Sequence, residues 1–159
     1  MVFPQELQVQ CCLKTSGAFR YPFVYLAESS LDPKGLSMRA LIVSVAACGL
    51  LLVAAGAAGA HMIAVEDSGR WDGAVLYGFV HTLAALGAAI APFQGRLKLA
   101  AGWLFVAGVV LFSGIQIARL LATPGTLDAL ASLVPAGGIA FMLGWILLGV
   151  AALTARRSA

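Results

Sequence analysis

Residues 40–61 read ALIVSVAACGLLLVAAGAAGAH, twenty-two positions without a charge before the final histidine. An α-helix of that length covers ~33 Å, enough for a hydrocarbon core of ~30 Å. Lipid offers the backbone no hydrogen-bond partner, so such a run must satisfy itself as a helix. Three similar runs follow. Residues 73–93 lie between Asp72 and the polar turn Gln94-Gly95-Arg96, residues 99–118 lie between Lys98 and Arg119, and residues 133–154 stop just before Arg156 and Arg157. The pattern predicts an all-α integral membrane four-helix bundle with up-down-up-down topology, because a connection of about three polar residues between the second and third runs makes them antiparallel neighbours.

Composition agrees. Hydrophobic residues make up 61% of the chain and charged residues 11%, where a soluble domain carries about a quarter charged. The mean hydropathy is +0.95. At 159 residues the four spans and their loops use most of the length, leaving one transmembrane domain, residues 38–159. The net charge of +3 comes from basic residues scattered along the chain, which gives nucleic acid no clustered surface to bind. Cys11 and Cys12 are adjacent and Cys48 stands in an apolar run. No C-x-x-C spacing suggests zinc or redox chemistry, and Cys48 reads as a small core or lipid-facing residue.

Flanking charge orients the spans. Lys34, Arg39, Arg96, Lys98, Arg156 and Arg157 collect on one side; Arg70 and Arg119 lie on the other, with Glu66, Asp67 and Asp72 in the first loop. Six basic residues against two predict both termini on the cytoplasmic side. Trp71 and Trp103 stand near span ends, where an indole suits the headgroup level. Residues 1–37 mix Pro4, Pro22 and Pro33 with scattered charges and show no periodicity. They are expected to form a disordered extension, with Met38 followed by Arg39 as the natural start; the functional alternative is a cytoplasmic cap or partner-binding arm. A signal peptide is not expected, since a basic start with an apolar stretch behind it is missing.

Helices in lipid associate by close packing and polar contacts. Ala55-x-x-x-Gly59 and Gly56-x-x-x-Ala60 place small residues on the first span, Gly102, Gly108 and Gly114 on the third, and Gly137, Gly138, Gly144 and Gly149 on the fourth. These faces suit a compact bundle in the lipid bilayer and, beyond it, a homo-oligomer. The polar exceptions are informative. His81 lies nine residues beyond Asp72, ~13 Å into the membrane and near its midplane, where an ionisable group should face the bundle interior. Tyr77 shares its helical face, so its hydroxyl is a candidate partner for the imidazole. His61 ends the first span, and Ser113 and Gln116 lie in the outer half of the third. These five residues form the candidate intramembrane polar cluster. Three readings compete: interhelical hydrogen-bond glue, a polar pocket or path for a small solute or proton, and a metal or haem site at His61 and His81. The last suffers from two histidines on different helices at different depths. No catalytic Ser-His-Asp order, paired intramembrane carboxylates, phosphate loop or H-E-x-x-H is present, so no enzyme, cofactor or metal is expected.

Several of these residues fall into a recognisable order. Gly56-Ala57-Ala58-Gly59-Ala60-His61, Trp71-x-x-Ala74-Val75-x-Tyr77-x-x-x-His81, Gly102-Trp103-Leu104-Phe105 with Leu111-Phe112-Ser113-Gly114, and Pro135-x-Gly137-Gly138 with Gly144-Trp145 resemble the signatures of a family of small bacterial inner-membrane proteins. The family is catalogued as domain of unknown function four hundred and twenty-three and has eukaryotic transmembrane relatives. The resemblance covers residues 40 to about 153. It implies four helices in a bacterial inner (plasma) membrane and no assigned activity. Ala58 stands where the family usually has Phe, Gly78 where Gln commonly follows the Tyr, and Val134 where Thr commonly precedes the Pro. The last two departures remove polar groups from the outer pocket. The function expected is a small non-enzymatic structural or interaction protein with a polar cluster around His81; the alternative is a small transporter or proton-conducting subunit working as an oligomer.

Overall fold

The computed structural model describes residues 33–92 and 95–155. The chain divides into two units, Met1–Ser37 and Met38–Ala159, and the second carries the bundle. The expectations for residues 1–32, including Cys11 and Cys12, lie outside the described residues, as do Arg156 and Arg157.

Four helices are long and apolar enough to cross a membrane: α1 (Pro33–Met62), α2 (Val65–Ile90), α3 (Arg96–Leu121) and α4 (Val134–Thr154). A 3₁₀ turn over Asp128–Leu133 leads into α4. No strand occurs among the described residues. The chain is a four-helix integral membrane protein.

The ends have local causes. The helix of α2 reaches eight residues farther out than its apolar run, because the charged stretch from Glu66 to Asp72 is helical too. At the other end α2 stops at Ile90: Ala91 precedes Pro92 and is extended (φ −52°, ψ 137°), the conformation that the ring of a following proline imposes. Gly95, with φ +149°, then turns the chain into α3 in a backbone region that side chains with a Cβ avoid. Pro135 sits in the first turn of α4, where its missing N–H is no loss.

Buried apolar residues from all four helices meet in one core: Leu41, Val45 and Leu52 of α1, Ala85 and Ala89 of α2, Ala101, Phe105 and Val109 of α3, and Phe141 of α4. Large apolar side chains face outward on every helix, among them Leu50, Leu83, Val110 and Ile146. For a chain in water this would be a liability; against lipid it is the expected outer surface.

Close approach depends on a subset of the glycines. A Cβ at Gly137 would lie 2.5 Å from the Phe112 backbone nitrogen, and one at Gly144 would lie 2.7 Å from the Phe105 ring. One at Gly108 would run into the Phe141 ring, and one at Gly59 into the Trp71 indole. Gly138 and Gly149 have open space around them, so only part of the small-residue pattern serves the bundle itself.

Two residues expected at the membrane surface are buried instead. Trp71 is 1% exposed and its Nε1 donates to the Ala55 carbonyl at 3.1 Å, so it joins α1 to α2 rather than sitting among headgroups. The space for its ring comes from Gly59. Lys98 is 4% exposed. Its Nζ donates to the carbonyls of Ala91 at 2.9 Å and Ala89 at 3.4 Å. Those carbonyls end α2 and have no partner farther along the helix, and a cation there also meets the negative end of the helix dipole.

Candidate functional site

His81 is 7% exposed and projects from α2 into a group of aromatic rings. The Phe141 ring of α4 stacks on the imidazole with centroids 3.6 Å apart and planes at 15°. Tyr77, one turn earlier on α2, lies nearly parallel at 6.1 Å. Phe105 of α3 approaches at 5.9 Å and Trp145 of α4 meets it edge-on at 6.3 Å. Phe105 and Trp145 also contact each other at 5.1 Å. The glycines named above admit these rings: Gly108 faces Phe141 and Gly144 faces Phe105.

The polar partner of the imidazole is its own helix. Nδ1 lies 2.8 Å from the Tyr77 carbonyl oxygen; a carbonyl only accepts, so Nδ1 carries the proton in this contact. The Tyr77 hydroxyl is therefore not the partner that the i, i+4 spacing suggested. That side chain is half exposed at 52%, its ring packed on Phe112 at 5.4 Å.

The remaining candidates are dispersed. Ser113 is fully buried and its Oγ has no hydrogen-bond partner. It is turned toward α2, where a Cβ at Gly78 would lie 3.0 Å from it. His61 is exposed at the end of α1, and Gln116 is half-buried on α3. Among the described residues no hydrogen bond joins any two of the five side chains. Of the candidate cluster, the structure thus brings Tyr77 and His81 together through stacking, and leaves the others apart. Among the described residues no three of His, Cys, Asp and Glu converge as a metal site would require.

Sequence reasoning missed a distortion next to this site. Val109–Gly114 within α3 is π-helical, a form that is rare and often found at functional places. It lies where α4 comes closest, with Gly137 against the backbone of Phe112 and Leu111. A Gly at each end of the stretch, Gly108 and Gly114, was the only sign of it in the sequence. At the C-terminal end of α3, Arg119 pairs with Asp128 at 3.1 Å, tying α3 to the 3₁₀ turn before α4.

Residues 55–138 match the family described as "Protein of unknown function (DUF423)". The chain belongs to that family. Its match takes in the Trp71–Ala55 contact, His81, the π-helical segment and Gly137, and stops before Phe141 and Trp145. Among similar proteins is the UPF0382 inner membrane protein YgdD of Escherichia coli (strain K12), 34% identical over 129 residues, covering 77% of this chain and 95% of the relative. The UPF0382 membrane protein YwdK of Bacillus subtilis (strain 168) is 34% identical over 126 residues, 72% of this chain and 97% of the relative. The UPF0382 membrane protein SAB0533 of Staphylococcus aureus (strain bovine RF122 / ET3-1) is 32% identical over 121 residues, 72% of this chain and 95% of the relative. No solved structure matches the chain.

Proposed function

We propose that this chain is a non-enzymatic structural or interaction protein of a bacterial inner membrane, with both termini cytoplasmic. In it His81 locks α2 against α3 and α4. The observation that carries the reading is the environment of the imidazole: Phe141 covers one face at 3.6 Å, Phe105 and Trp145 close its flanks, and Nδ1 is committed to the Tyr77 carbonyl. A proton relay needs a chain of hydrogen-bonded exchangeable groups, whereas the imidazole's own hydrogen bond goes to a helix carbonyl and a phenyl ring covers its face. The location is supported by the name of the Escherichia coli relative, an inner membrane protein, and the orientation by the excess of Lys and Arg beside one set of span ends.

Two measurements on purified protein test it. His81→Ala removes a stacked ring and one hydrogen bond, and should lower stability in detergent by about 1–3 kcal/mol. Liposomes containing wild-type protein should conduct protons no faster than empty liposomes across a pH gradient. A wild-type flux abolished by His81→Ala in a folded protein would overturn the reading in favour of a conducting subunit.

A further inference from the structure

We draw no further inference here: the strongest candidate, the half-open apolar groove between α1 and α3 lined by Ala55, Ala58, Gly114 and Ala118, carries nothing because no feature of the structure shows what covers it.

Discussion

Lys98 carries more weight than its place at a span end suggests. Its ammonium lies among carbonyls that the geometry of a helix leaves without donors, and the 4% exposure means that water does not stand in for it. Replacing it with methionine keeps the length of the side chain and removes the donor. Lys98→Met is expected to lower stability in detergent by about 1–3 kcal/mol, the range for a buried charged hydrogen bond, whereas Arg96→Met, exposed at the same end of α3, should cost less. Chemical denaturation followed by circular dichroism checks the difference. Trp71 teaches a similar lesson. Both residues stand where hydropathy changes, and hydropathy alone assigns such residues to the surface. Their burial depends on what a neighbouring element presents: two helix-end carbonyls for Lys98, and Gly59 with the Ala55 carbonyl for Trp71. His81 was legible as an inward-facing residue because its cost in lipid leaves few alternatives. Its stacking on Phe141 was not, because the partners come from α3 and α4, far along the chain.

The helices themselves were the most legible part. A run of twenty apolar residues has one structure in lipid, and all four expected spans coincide with helices in the structure. Their ends differ where local rules compete with hydropathy, as at Pro92 and in the charged but helical start of α2. Packing is where the glycines separate. Gly137 faces the backbone of α3, and Gly138 faces open space. Gly137→Val is therefore expected to destabilise the bundle by about 2 kcal/mol or more, within the range for overpacking, whereas Gly138→Val should change stability by under about 1 kcal/mol. Thermal unfolding of the two variants side by side separates them. Both glycines belong to the same sequence pattern, so spacing cannot tell them apart.

For the molecule as a whole, the charge asymmetry makes a topological prediction. Ser68, at the start of α2, and Leu97, at the start of α3 just beyond the other end of α2, are both exposed. With Cys48→Ser removing the thiol within the span, Ser68→Cys should react with a membrane-impermeant maleimide added to intact spheroplasts, and Leu97→Cys should react only after the membrane is opened. The reverse pattern would place the termini outside. The chain divides at Met38, and every contact described above comes from the bundle that follows.

The π-helical stretch in α3 has a consequence for how the two ends of that helix are phased. Successive residues of an α-helix are set about 100° apart around the axis, and a π turn accommodates one residue more than an α turn would. Phe105 and Lys98 on one side of Val109–Gly114 and Arg119 on the other are thus aimed by two different registers. Turning the stretch into α-helix with all its residues kept would swing the part beyond it by about 100°, taking Arg119 away from Asp128. Deleting one residue instead would restore an unbroken α-helix with both ends still aimed as they are. The extra residue acts as an angular offset, allowing one helix to aim Phe105 at the aromatic cluster before the stretch and Arg119 at Asp128 beyond it.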